Sequence, residues 1–339
     1  MKVVTIRIIA LVLCAAAVFG LAAFLMLVPG RAVKPNANGV VASTVIIEMA
    51  EDFSVTADEF FYYALMSRSS FTDQYGPEMF EIYPSLQDTV LFQVDDLVIG
   101  NSAFVMWGRE EGFELTAEDV AEFDDYFEEM KTSLLAGGKR IDAYLKENNL
   151  TAELFRRIYL RDAYVDKFLN EHLTSEHPLL AVSETQFGKY IVENGVLAAK
   201  HILLLFENYD SPEKCRLAAE KLLDKLEEGE DFDTLMWENT DDQSGLSANP
   251  DGYTFRRGEF VPEFEAAARL LDVGQMSGLV ESDYGYHIIL RTQADREQVK
   301  AWIQQAIIDE IKLEYERRLD PRTTEARDNL ILLDMRPVV

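Results

Sequence analysis

Only four histidines occur in the 339 residues, and they fall into two pairs. His172 and His177 are five apart, each beside an acid (Glu171 and Glu176), and Pro178 follows at a helix end. Imidazoles next to carboxylates suggest metal ligation, but this spacing fits no established ligand pattern and a solvated helix terminus explains it, so no metal is expected. His201 sits in the middle of a strand-like apolar run from Val196 to Phe206, and His287 near the end of the chain lies in a second such run, Gly285 to Arg291. Imidazole titrates near neutrality, so it can move a proton or hold a fixed hydrogen-bond network. On its own, a histidine in an apolar strand is more often a satisfied core residue. No nucleophile elbow, phosphate loop or nucleotide fingerprint occurs, and no cofactor is expected.

The elements that would carry these side chains divide the chain in two. From about Thr56 to Asn194 the signals are helical. Thr56 followed by Glu59 reads as a capping box, Thr116 before Glu118 and Asp119 opens a second helix, and Ser183 with Gln186 opens a third. Apolar residues at mixed three and four spacings fill the intervals, punctuated by Gly137-Gly138 and Asn148-Asn149. Most of the aromatics here read as core, with a peptide-holding groove as the functional alternative. At Gly195 the pattern changes to a small α+β module. Its strands are expected at 196–206, 275–280 and 285–291, with helices opening at Ser211-Pro212, near Phe232 and at Pro262. Asn239 to Gly252 reads as a polar loop. Asp295 to Leu319 is expected as a long amphipathic helix whose stripe (Val299, Trp302, Ile303, Ile307, Ile311, Tyr315) needs a partner, either the helical domain or a second copy of the chain.

The stretch Leu197 to Thr292 resembles the parvulin family of peptidyl-prolyl isomerases. Six pieces carry the resemblance in the family's order: Ala199-Lys200-His201-Ile202-Leu203; Gly229-Glu230-Asp231-Phe232-Asp233-Thr234-Leu235; Thr240-Asp241-Asp242; Arg257 to Glu265; Gly274-Gln275-Met276-Ser277; and Tyr284-Gly285-Tyr286-His287-Ile288-Ile289. The resemblance implies that His201 and His287 are paired imidazoles at the floor of the site. It implies Asp242 and Ser282 as their hydrogen-bond partners, with Asp241 in reserve if the loop register slips by one. It further implies a proline pocket of Phe260 and Phe264 with Met276 and Tyr284 as neighbours. Two departures are visible. The family's Gly-Gly-Asp-Leu-Gly segment is replaced by Asn249-Pro250-Asp251-Gly252-Tyr253-Thr254-Phe255, and Phe260 is bulkier than the usual Met or Leu. The layout of the whole chain is similar to membrane-anchored extracytoplasmic foldases of the PrsA and SurA kind.

The expected organisation is therefore a membrane segment (1–34), an all-helical chaperone-like domain (35–194, completed by 295–339), a parvulin domain (195–292) and a carboxyl-terminal helix and tail (293–339). Ile8 to Val28 is 21 residues without a charge. At about 1.5 Å per residue it can cross a bilayer core of about 30 Å. It lacks a clear small-residue cleavage pattern, which favours an uncleaved single-pass anchor over a cleaved signal. The soluble part is then expected outside the cytoplasm. The formal charge of −28 deepens to −32 beyond residue 34, where all 60 acids lie with 28 of the 32 bases. A body that acidic repels phosphate backbones, so no nucleic-acid partner is expected. Only Cys215 lies beyond the apolar segment, so no intrachain disulfide is expected. The expected function is a prolyl isomerase and chaperone for unfolded exported polypeptides containing X-Pro bonds, with the aromatic surface and the 295–319 stripe leaving room for a homodimer. The alternative is a catalytically weak scaffold that holds clients.

Overall fold

Two strands bring the chemistry-bearing residues together: Leu197–Leu205 and Gly285–Arg291 form the antiparallel centre of a four-stranded sheet. In this computed structural model the residues described are 40–50, 52–147, 150–332 and 335. The expected membrane segment lies outside them. The chain divides into two compact units, one running to Leu180 and resuming at Ile307, the other spanning Ala181–Ala306. This differs from the expected division at 194/195 and 292/293. Helix Glu184–Asn194 belongs with the sheet because left-handed Gly195 (φ 59°) ends it and the first strand follows within two residues. Arg296 also lies over the Phe187 ring at 4.5 Å. The long helix Arg296–Leu319 contributes its first part to this unit and the remainder to the other.

In the unit of 181–306 the strand order is Tyr253–Phe255, Leu197–Leu205, Gly285–Arg291, Val280–Glu281, with all neighbours antiparallel. Alternation along the two central strands divides the side chains between two faces. Ile202, Leu204, Tyr286 and Ile288 pack with Leu222, Leu226, Leu235 and Met236 from helices Pro212–Glu227 and Phe232–Asn239. Leu197, Ala199 and Ile289 pack with Phe264 and Ala268 from helix Pro262–Leu270. Two strand expectations need correction. Edge strand Tyr253–Phe255 lies within the segment that departs from the family pattern, where composition gave no strand signal. Of the stretch 275–280, only an isolated bridge at Met276 and the strand beginning at Val280 materialise. The expected polar loop holds a short helix, Gln243–Ala248.

The other unit is not all-helical, which corrects the sequence reading. Strand Val45–Glu48 lies between Val55–Thr56 and Arg322–Thr323, antiparallel to both, so the end of the chain returns to pair with its beginning. Strands this short carry almost no periodicity in sequence. Thr324 strengthens the junction by donating its hydroxyl to the Val45 carbonyl at 2.9 Å. Around this sheet stand helices Ala57–Tyr75, Leu86–Glu110, Ala117–Ala136 and Ala152–Lys167, with Trp107, Phe60, Phe61, Phe168, Ile46 and Ile47 fully buried among them. Leu86–Glu110 is long and apolar enough to cross a membrane, but its Val90, Leu91, Val94, Val98 and Trp107 are core residues.

The helices expected to open at Thr116 and Ser183 do so, each closed by a capping box with Asp119 and Gln186 respectively. The capping box predicted at Thr56 does not form: its hydroxyl donates to Asp58 at 2.6 Å instead. Glu59, the expected reciprocal partner, is buried and drawn into an ion pair with Arg161, and Arg161 also donates to the Tyr63 hydroxyl at 2.6 Å. Tertiary charge pairing outcompeted the local cap. Tyr63 in turn donates to Asp162 at 2.8 Å. Burial pushes the Asp162 carboxyl up to about 6 against the opposing pull of Arg161.

Candidate active site

His201 stands opposite Ile289 in the central ladder and His287 opposite Leu203, so the two imidazoles are diagonal neighbours on one face of the sheet. Both are buried, and their rings lie nearly parallel (17°) with centroids 5.5 Å apart. Their Nδ1 atoms meet at 3.3 Å. On the far side of His201, Nε2 is 3.0 Å from Asp242 Oδ2, and on the far side of His287, Nε2 is 2.8 Å from Ser282 Oγ. The four residues from separate parts of the sequence thus form one unbroken chain of hydrogen bonds.

Chemistry fixes the direction of that chain. Burial, followed by the neighbouring His201, holds the His287 imidazole down at about 4, so it is neutral at pH 7. The hydrogen bond from His201 holds Asp242 at about 2 despite its partial burial, with the Tyr253 hydroxyl and Gly245 amide also helping. Asp242 is therefore an ionised acceptor, and His201 Nε2 must carry the proton between them. With His201 neutral, its Nδ1 accepts from His287 Nδ1–H, and His287 Nε2 then accepts the Ser282 hydroxyl.

Local structure explains how each group arrives there. Asp242 caps helix Gln243–Ala248, its Oδ1 accepting the Gly245 amide at 3.1 Å while Oδ2 faces His201. The choice between adjacent acids follows from the backbone: Asp241 donates its amide to the Leu203 carbonyl at 2.7 Å, and its carboxylate accepts the Leu205 amide at 2.8 Å. It is occupied with strand ends, and Asp242 is the one at the imidazole. Ser282 is buried and set by the Tyr284 amide, which donates to its hydroxyl at 3.3 Å.

The aromatic wall is Phe264, fully buried, with its ring edge-on to both imidazoles at 5.4 Å and 5.7 Å. Phe260 stacks on Phe264 at 4.9 Å and is only partly buried. Met276 requires a correction. Its bridge partner is Leu290, and paired residues share a face, so Met276 lies on the side opposite the imidazoles and packs with the Ile202 and Ile288 cluster. Tyr284 is 61% exposed.

Two residues of the site were not singled out in the sequence. Tyr253 donates its hydroxyl to Asp242 Oδ2 at 2.6 Å and sets its ring edge-on to His201 and to Phe260. It comes from the segment that departs from the family pattern, so motif matching passed over it. Glu265 is buried, and its Oε1 accepts the amides of Gly258 and Phe260 at 2.7 Å and 3.1 Å, which pins the turn that presents Phe260. A buried glutamate one residue beyond a pocket phenylalanine gives no periodic cue.

Residues 201–293 match the Rotamase family, described as the PPIC-type PPIASE domain, so this stretch of the chain is a parvulin domain. The chain is 37% identical over 139 residues to Foldase protein PrsA of Geobacillus kaustophilus, covering 41% of this chain and 45% of that one. It is 27% identical over 228 residues to Foldase protein PrsA of Caldanaerobacter subterraneus subsp. tengcongensis, covering 66% and 65% respectively. Among solved structures, PrsA from Bacillus subtilis is similar at 18% identity, covering 84% of this chain and 92% of that one, with a TM-score of 0.28. The alignments span between about half and two thirds of the curated relatives' lengths.

Proposed function

We propose that the chain is a peptidyl-prolyl cis-trans isomerase and folding chaperone for exported polypeptides. The observation that carries this reading is the hydrogen-bonded series Asp242–His201–His287–Ser282 beneath the Phe264 ring. Prolyl isomerisation makes and breaks no covalent bond. It must cross a barrier of about 18–20 kcal/mol because amide resonance is lost in the twisted state. A site lowers that barrier by binding the twisted amide better than the planar one. Phe264 and Phe260 offer an apolar surface for the pyrrolidine ring. The ionised Asp242 carboxylate, held near the rotating carbonyl, disfavours the resonance-polarised planar form. The imidazoles keep the carboxylate oriented and the floor rigid; Tyr253 does the same from the other side.

A second reading, a client-holding scaffold with little turnover, draws on one observation: Phe260 rests stacked against Phe264, where the bulkier side chain takes up room the proline ring would use. A proline-containing test peptide separates the two. The full chain is expected to accelerate isomerisation, and the His201→Ala, Asp242→Ala double variant to lose at least about tenfold, or about 1.4 kcal/mol of barrier lowering. Equal rates near background for both proteins would leave only the scaffold. Chaperone action is measured apart, as suppressed aggregation of a proline-free unfolded client.

The placement of this activity belongs to the same proposal. The uncharged run Ile8 to Val28 would tether the chain to the cytoplasmic membrane with its acidic body on the outer side. Self-association through the helical unit draws support from exposed Tyr75, Ile82, Tyr83 and Phe92.

A further inference from the structure

Glu111 stands just past the end of helix Leu86–Glu110, and His172 closes a π-helical turn, Phe168–His172, that follows helix Ala152–Lys167. One donor atom from each, together with one from His177, lie within 4.8 Å of one another. The His172 ring is wedged against Phe168 and Phe113 at centroid distances of 5.5 Å and 5.4 Å, and 5.4 Å from the His177 ring. Its Nε2 is shut off from solvent and has no hydrogen-bond partner among the described residues. A buried polar nitrogen without a partner is costly and uncommon, and one explanation is an ion that has not been placed beside it. A single π-helical turn is itself unusual and recurs at functional sites.

We propose that Glu111, His172 and His177 form a binding site for a divalent transition-metal ion of the zinc class. Two imidazoles and one carboxylate are a borderline donor set that suits zinc, nickel or copper better than calcium or magnesium. Donor pairs on a tetrahedral ion with bonds of about 2.1 Å sit about 3.4 Å apart, so the site closes by a modest side-chain rotation. Glu111 is exposed and free to make it. The surroundings orient the ligands: the buried Trp107 indole N–H donates to Glu111 Oε1 at 3.4 Å, and the turn 174–177, closed by the His177 amide on the Thr174 carbonyl at 2.8 Å, holds His177 in place. Glu171 and Glu176, the acids beside the histidines in sequence, are not members. Three protein ligands leave a coordination position open to water or to a client side chain. The ion would staple the end of one core helix to the segment following another.

The untagged full chain, stripped with EDTA, is titrated with zinc chloride by calorimetry, and its thermal unfolding followed with and without the metal. One ion per chain and a higher unfolding midpoint with zinc are expected. His177→Ala and Glu111→Gln are each expected to weaken binding at least tenfold and to leave the metal-free midpoint unchanged. Glu111→Gln decides the matter if His177→Ala fails to fold, because Glu111 is a surface residue. His201→Ala is expected to leave the titration as it was. Absence of stoichiometric binding, binding indifferent to the Glu111 and His177 substitutions, or binding lost with His201 would each overturn the proposal, the last by locating the ion at the other histidine pair.

Discussion

His287 sets the acid limit of the parvulin unit. Its imidazole is held at about 4 when folded against an ordinary value of 6.5. Between those values the unfolded chain binds a proton that the folded site refuses, so stability falls as pH drops from 6.5 toward 4. The whole loss is about 3 kcal/mol. Asp242 acts lower down: its depressed carboxyl stabilises the fold fully above its ordinary 3.8, and that contribution disappears as pH falls toward 2. Urea unfolding at pH 7, 6, 5 and 4 is expected to give midpoints that decline through this window, and His287→Gln is expected to flatten the decline. A wild-type profile flat from pH 7 to 4 would contradict the buried neutral imidazole.

At the scale of elements, the site depends on the register between Leu197–Leu205 and Gly285–Arg291. A slip of one residue would carry His287 to the opposite face, packed by helices Pro212–Glu227 and Phe232–Asn239, and break the chain of hydrogen bonds. Gly285 guards that register. A methyl group there would collide with the Leu204 carbonyl oxygen, a backbone atom that cannot step aside. Gly285→Ala is expected to cost about 1–3 kcal/mol, as overpacking does. It is also expected to reduce prolyl isomerase turnover, because it displaces Ser282 and His287 together. Chemical denaturation and the peptide assay check both halves, and a variant with native stability and rate would show that the close approach is not needed.

At the scale of the whole molecule, the unit that begins the described chain is completed by the end of it. Leu319, Leu330, Leu332 and Met335 are buried in the same core as Ile46 and Ile47, and Arg327 pairs with Asp95 through a largely buried bidentate contact. Removing everything after Leu319 deletes a strand and three core side chains. Because a single core Leu→Ala truncation costs about 2–5 kcal/mol, this loss is expected to unfold the helical unit at moderate temperature. Circular dichroism of the truncated chain would check it; an unaltered melting curve would mean that the returning tail contributes little. Turnover of a short proline peptide is expected to survive the truncation, since every residue of the candidate active site lies between 201 and 287.

The amino-acid sequence by itself determined the helix-to-sheet change at Gly195, the helix starts at Thr56, Thr116 and Ser183, the pair of imidazoles and the aromatic wall. These are written in local patterns: a period, a cap, a motif in order. It determined less where partners are distant. The Thr56 cap lost to an ion pair with Arg161. Met276 fell on the wrong face because a one-residue bridge sets its parity, and Tyr253 entered the site from a segment without a motif. A carboxylate from the end of another helix turned two histidines read as a solvated terminus into a candidate metal site. Only the tertiary structure could decide these points, because each depends on a contact between residues far apart in the chain, and such contacts are chosen by packing and pairing of the whole rather than by neighbouring residues.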